Sequence, residues 1–86
     1  MKILLITFKS RNELYSFSKL LKINSIYHLI ISTPSAIGSS CTLSIKTEYY
    51  YLKHLFKILQ KSKPASILGV YSVFQGLNGN QINKIL

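Results

Sequence analysis

The sequence predicts an α+β fold of the ferredoxin-like type: βαββαβ, with a four-stranded antiparallel sheet and two helices on one face. Two segments have apolar residues at helical spacing, and four short runs are rich in β-branched and aromatic residues. The only two acidic residues, Glu13 and Glu48, both fall in a predicted first helical turn, where the helix dipole favours negative charge. With 86 residues the chain is long enough for one small domain.

The first strand and helix have the clearest signals. Ile3–Phe8 is a nearly continuous apolar run, as expected for a central strand. Ser10 and Glu13 then form a capping-box pattern, in which the hydroxyl accepts from the backbone N–H of Glu13 and the carboxylate reaches back. The helix that follows should end near Asn24. Its apolar stripe comprises Leu14, Phe17, Leu20 and Leu21.

The middle of the chain predicts two strands joined by a polar loop. Ile26–Ile31 has strand composition and is broken at Pro34, after which the loop runs to Ser40. The residues beyond it alternate in polarity. They place Cys41, Leu43 and Ile45 on one face of a third strand and Thr42, Ser44 and Lys46 on the other.

The second half predicts a helix and a last strand. Thr47 has the form of an N-cap, with Glu48 in the first turn, and the helix should stop before Pro64. Its apolar stripe comprises Leu52, Leu55, Phe56 and Leu59. The last strand covers 66–74 and is interrupted by Gly69. We therefore expect one domain over residues 1–74 and a flexible C-terminal tail over 75–86.

The composition is strongly basic. Eleven Lys and Arg residues against two acidic ones give a net charge of +9, which favours nucleic acid, an acidic protein surface or a membrane face as partner. The many Lys, Asn, Ile, Tyr and Phe residues are also what an AT-rich genome encodes, so codon bias is an alternative cause. No apolar stretch approaches the length of a membrane span. A single Cys favours a reducing compartment: the cytoplasm, or the stroma of an AT-rich organelle such as a plastid.

Cys41 is the main candidate for chemistry, because a lone thiol has no internal disulfide partner. It either packs in the core or serves as a nucleophile, which requires nearby N–H donors or positive charge. Backbone N–H groups at Gly38, Ser39 and Ser40 can form a small anion-binding concavity beside the sulfur, and Lys9 can approach from the end of the first strand.

Other candidates favour structural roles. His28 and His54 have no neighbouring carboxylate, and the spacing of Cys and His suggests no metal site and no cofactor. In the run 49–51 we expect Tyr51 to join the core while its neighbours stay partly exposed. Lys53, Lys57 and Lys61 recur every four residues and form either a partner surface for an acidic protein or a merely solvated face.

The chain resembles the putative Se/S carrier protein-like family. The resemblance rests on the segment Leu5–Ser10, the amphipathic helix after it, and Pro34 placed seven positions before the Cys of Ser-Ser-Cys at 39–41. It spans about Lys2 to Val73. The sequence departs from the family pattern at two positions: Ser35 replaces an Arg, and Thr42 replaces a Gly beside the cysteine.

This resemblance implies a non-enzymatic carrier that holds sulfur or selenium as a persulfide or selenosulfide on Cys41, supported by the loop residues and Thr42. Its partners would be a cysteine desulfurase-type donor and an acceptor protein. Two alternatives remain open from the residues. One is a basic nucleic-acid-binding module, although the third strand lacks the aromatic residues of RNA-recognition domains. The other is an interaction domain with a structural cysteine, including a homodimer formed through the sheet.

Overall fold

A computed structural model describes residues 2–34, 37, 42–64, 66–77 and 79–85. In these residues the chain forms five strands and two α-helices. In chain order the elements are β1 (Lys2–Phe8), α1 (Arg11–Ile23), β2 (His28–Ser32), β3 (Leu43–Glu48), a 3-10 turn (Tyr49–Tyr51), α2 (Leu52–Ser62), β4 (Ile67–Gly76) and β5 (Gly79–Lys84). Neither helix is long and apolar enough to cross a membrane, in the part of the chain that is described.

The five strands form one antiparallel sheet with the order β2-β3-β1-β4-β5. The apolar run of β1 therefore lies at the centre, as its sequence predicts. The α+β class is confirmed, but the predicted number of four strands is wrong, because β5 adds an edge strand beside β4.

The main core lies between the sheet and both helices. Alternate residues of β1 face the helices, and Phe8 packs against Phe17 of α1 with a ring-centroid distance of 5.6 Å. Both helices contribute to the same cluster, which places them on one face of the sheet. The cluster comprises Leu4, Ile6, Phe8, Leu14, Phe17, Leu21, Ile26, Ile45, Leu55, Leu59 and Val70.

A second, smaller cluster lies on the opposite face of the sheet. Ile3, Leu5 and Val73 are buried there, although no described helix covers them. Ile37, from the connection between β2 and β3, packs against this cluster. Ile37 therefore lies on the sheet face opposite the helices.

The N-terminus of α1 keeps half of the predicted capping box. The hydroxyl of Ser10 accepts a hydrogen bond from the backbone N–H of Glu13 at 3.3 Å. The carboxylate of Glu13 instead accepts from the backbone N–H of Ser66, also at 3.3 Å. A tertiary bond to the start of β4 thus replaces the predicted local one.

The predicted start of the second helix is wrong. Thr47 and Glu48 belong to β3, and α2 begins only at Leu52, after the 3-10 turn and without a side-chain cap. Thr47 is 4% exposed, and its hydroxyl donates to the carbonyl oxygen of Tyr27 at 2.7 Å. Tyr51 packs against the core as expected, while Tyr50 is 79% exposed.

The segment predicted as a tail contains β5. Gly76 pairs with Gly79 across a two-residue turn, and Gly79 has a φ of +105°, a conformation that favours glycine. Beyond the strand, the backbone N–H of Ile85 donates to the carbonyl of Val70 at 2.7 Å, and Ile85 packs against the main core. These contacts attach the end of the chain to the domain.

Candidate functional site

The predicted thiol site is the connection between β2 and β3. Gly38, Ser39, Ser40 and Cys41 lie outside the described residues. Thr42 and Lys9, the other two predicted members, are described. The described part of the site consists of the residues that hold the two ends of the connection.

The ends of the connection are held together by hydrogen bonds between β2 and β3. The strands pair from His28–Thr47 to Ser32–Leu43, and just beyond them the backbone N–H of Thr33 donates to the carbonyl of Thr42 at 3.0 Å. The hydroxyls of Thr33 and Ser44 lie 2.7 Å apart, and both residues are buried. Thr42, the residue that follows Cys41 in the sequence, thus belongs to a firmly bonded part of the sheet.

Within the connection, Pro34 and Ile37 form a turn. The backbone N–H of Ile37 donates to the carbonyl of Pro34 at 3.0 Å, and the Ile37 side chain rests on the cluster of Ile3, Leu5 and Val73. The connection is therefore held at its ends and at Ile37.

β1 ends at the same edge of the sheet, meaning the row of strand ends that contains Phe8 and Leu43 and not an edge strand. Phe8 pairs with Leu43 of β3, so Lys9 and Thr42 are the first residues beyond this pair. The backbone N–H of Lys9 donates to the carbonyl of Ser66 at 2.8 Å, and its side chain is exposed. The structure brings Lys9 to the edge where the connection returns to the sheet; its approach to the sulfur stays a prediction.

The electrostatics of this edge favour an anion. The N-terminus of α1 lies directly after Lys9, and its backbone N–H groups carry partial positive charge. Lys9 and Arg11 add two exposed cations, while the carboxylate of Glu13 is bonded to the backbone of Ser66. The two cations outnumber the one carboxylate at this edge, which favours an anionic ligand there.

Tyr71 packs on the sheet face opposite the helices, and its contacts there were not predicted from the sequence. A Cβ atom on Gly69 would lie only 2.9 Å from the Tyr71 ring, so the ring lies against the Gly69 backbone. The neighbouring hydroxyl of Thr7 donates to the carbonyl of Gly69 at 3.1 Å. The glycine that interrupts the predicted strand therefore makes room for an aromatic ring two residues away. A glycine inside a strand pattern is the one available signal for such a close approach.

Both ring nitrogens of His28 have hydrogen-bond partners within the domain. Its Nδ1–H donates to the carbonyl of Ile26 at 2.9 Å, and Nε2 lies 2.5 Å from the hydroxyl of Ser18. Ser18 is 5% exposed on the buried side of α1, so this pair connects the helix to β2. Among the described residues, no group of three or more His, Cys, Asp or Glu side chains is arranged to hold a metal ion.

The predicted basic surface lies on α2. Lys53, Lys57 and Lys61 are all exposed, as a partner surface requires. Lys57 and Lys61 also line a groove of about 390 Å³ between α2 and the last turn of α1, which was not predicted. The remaining lining residues are Leu20, Asn24, His54, Ile58 and Ser62.

The fold and this edge define a small α+β protein with an antiparallel sheet, two helices on one face, and a cysteine-containing connection between neighbouring strands. The sequence profile of the family described as putative Se/S carrier protein-like matches residues 4–72, more than three quarters of the chain. The chain belongs to this family. No curated protein and no solved structure matches it.

Proposed function

We propose that this protein carries a single sulfur or selenium atom on Cys41 and passes it from a donor to an acceptor protein. The observation that carries the proposal is the family match over residues 4–72, which includes the only cysteine of the chain. The antiparallel sheet with its two helices on one face would serve as the scaffold for this connection.

The transfer consists of two thiol exchanges without net oxidation. The Cys41 thiolate attacks the terminal sulfur of a persulfide on the donor, which forms a new S–S bond and breaks the donor's own. The donor leaves as a thiolate, and the terminal sulfur stays on Cys41. A thiolate of the acceptor then attacks that terminal sulfur, and the Cys41 thiolate is released as the leaving group. With selenium, the bond that forms and breaks on Cys41 is S–Se.

One feature favours a carrier over a dithiol reductase, and a second favours a reactive thiol. A reductase needs a second, resolving cysteine, and this chain has one cysteine. The cations of Lys9 and Arg11 at the sheet edge favour the anionic forms of the thiol and of the persulfide. Lys9 together with Gly38, Ser39, Ser40 and Thr42 would support the sulfur.

The chemistry also suggests partners and location. A cysteine desulfurase-type enzyme is the fitting donor, because its catalytic intermediate is a persulfide. A reducing compartment, either the cytoplasm or a plastid stroma, would keep the thiol of Cys41 available between transfers.

The test is intact-mass analysis of the full chain after exposure to a cysteine desulfurase with cysteine, in the absence of reductant. We expect a mass increase of one sulfur atom that a thiol reagent removes. Cys41→Ser should show no increase, and Lys9→Ala should load more slowly than the charge-matched control Lys84→Ala. If the unchanged chain remains unmodified while the desulfurase itself carries persulfide, the proposal is wrong.

A further inference from the structure

The groove between the two helices has an apolar floor. Leu20 of α1 and Ile58 of α2 line it, and both are half-buried against the main core. The polar neighbours are already bonded: the Asn24 amide donates to the carbonyl of Leu20 at 2.7 Å, and the Ser62 hydroxyl donates to that of Ile58 at 2.9 Å. Apolar contact and the charged groups at the rim are therefore what the groove offers a ligand.

The rim of the groove is cationic. Lys57 and Lys61 are exposed and four residues apart on α2, so their attachment points lie about 6 Å from each other. His54 lines the same side one turn earlier. The two acidic side chains of the protein lie elsewhere, since Glu13 is bonded to Ser66 and Glu48 ends β3. The lysines thus have no acidic side chain beside them in the groove.

We propose that this groove docks an acidic amphipathic helix of a partner protein. An apolar side chain of that helix would rest on Leu20 and Ile58. Carboxylates one helical turn apart on the partner would meet Lys57 and Lys61, because the same spacing of about 6 Å separates both pairs. This docking goes beyond sulfur transfer and does not require the thiol.

The lining favours a protein over a nucleic acid. Single-stranded nucleic acid is bound by aromatic platforms and a cationic groove that follows the phosphates. Among the described residues, no Phe, Tyr, Trp or Arg lines this groove, so His54 is the one stacking ring that they offer, and the floor is aliphatic. Its volume of about 390 Å³ accommodates a few side chains, which suits one helix face.

The probe is a fluorescein-labelled synthetic helix with Glu at positions i, i+4 and i+8 and Leu on the same face, measured by fluorescence anisotropy with the full chain. Lys57→Ala with Lys61→Ala should weaken binding about fivefold or more, as expected for two exposed ion pairs. Lys19→Ala with Lys84→Ala removes the same charge outside the groove, since both lysines are exposed and neither lines it. This control pair should change binding less than about twofold.

Three results would overturn the docking proposal. The first is equal weakening of binding by the two pairs of lysine substitutions, which would indicate a general charge effect. The second is equally tight binding of a peptide with Gln in place of Glu. The third is tighter binding of a single-stranded oligonucleotide that depends on Lys57 and Lys61, which would assign the groove to nucleic acid. Loading of Cys41 from a small persulfide donor, measured in the same variants, separates a failure of docking from a failure of sulfur carriage.

Discussion

Because Gly69 has no Cβ atom, the ring of Tyr71 can lie against the backbone at that position. Gly69→Ala should cost about 1 kcal/mol of unfolding free energy, because the new Cβ would lie 2.9 Å from the ring and displace it. In the Tyr71→Ala background the same change should be neutral or stabilising, since alanine restricts the unfolded chain. Urea denaturation of the four proteins of this cycle measures the coupling.

Additive free energies in that cycle would contradict the contact. Gly76→Ala is a useful comparison in the same strand, because a Cβ there would lie 3.4 Å or more from its nearest neighbours. It should show no coupling to Tyr71.

At the scale of elements, Thr47 explains the error in the predicted start of α2. A β-branched residue with a hydroxyl suits both an N-cap and a buried strand position, and local sequence does not distinguish them. Pairing with β1 and β2 extends β3 through Thr47 and Glu48. By contrast, Ser10 stands between an apolar strand and a stripe of apolar residues at helical spacing. Its role as an N-cap is therefore clear from the sequence, and its capping bond is predicted correctly.

Substitution of Thr47 distinguishes the two roles. Thr47→Asp should destabilise the protein by about 3 kcal/mol or more, because a buried carboxylate would lose its hydration and would face the carbonyl oxygen of Tyr27, which cannot donate to it. An N-cap would tolerate Asp. Thr47→Val keeps the shape and should cost only about 1 kcal/mol, the bond to the carbonyl of Tyr27. Thermal denaturation measures both, and a neutral Thr47→Asp variant would contradict the strand assignment.

β5 was missed because its composition is poor in strand-forming residues. The Asn and Gln residues of the segment suggest a loop, and pairing with β4 overrides that preference. The available signal was Asn-Gly at 78–79, a dipeptide that marks turns, although Gly79 belongs to the pair that closes the turn and not to its two-residue loop.

Two isoleucines at the end of the chain test the contribution of this segment. Ile85→Ala should cost about 1–2 kcal/mol, because Ile85 packs against the main core. Ile82 is 37% exposed, and its truncation should cost less than about 0.5 kcal/mol. Equal and negligible effects of the two substitutions on chemical denaturation would instead support a flexible tail.

At the scale of the whole molecule, the charge of +9 should oppose folding at low ionic strength. The described residues extend 36 Å at most, so at about 0.01 M salt, with a Debye length of about 30 Å, nearly all charges repel one another. At about 0.15 M the Debye length is about 8 Å, and the melting temperature should rise. The rise should be smaller in Lys19→Ala with Lys84→Ala. A melting temperature that falls or stays constant with salt would contradict this expectation.

The sequence predicted the central strand, both helices and the packing of both on one sheet face, because their apolar periods are strong. The approach of Lys9 to Cys41 stays a prediction, because Cys41 lies outside the described residues. The groove was not predicted, because it depends on which residues of two separate helices meet in the folded chain. The contact of Tyr71 with Gly69 was not predicted, because it depends on the direction in which the Tyr71 ring lies. No local pattern records that Leu20 and Ile58 lie beside each other.

The direction of α1 has a consequence for how partners would engage the molecule. Its first turn lies at the sheet edge with Lys9, while its last turn forms one wall of the groove with Asn24. Thirteen residues of helix separate these points by about 20 Å. Under the two proposals, a partner docked in the groove would have to span about 20 Å along α1 to reach this sheet edge. Its docking helix and its reacting thiol would therefore belong to separate segments of that partner.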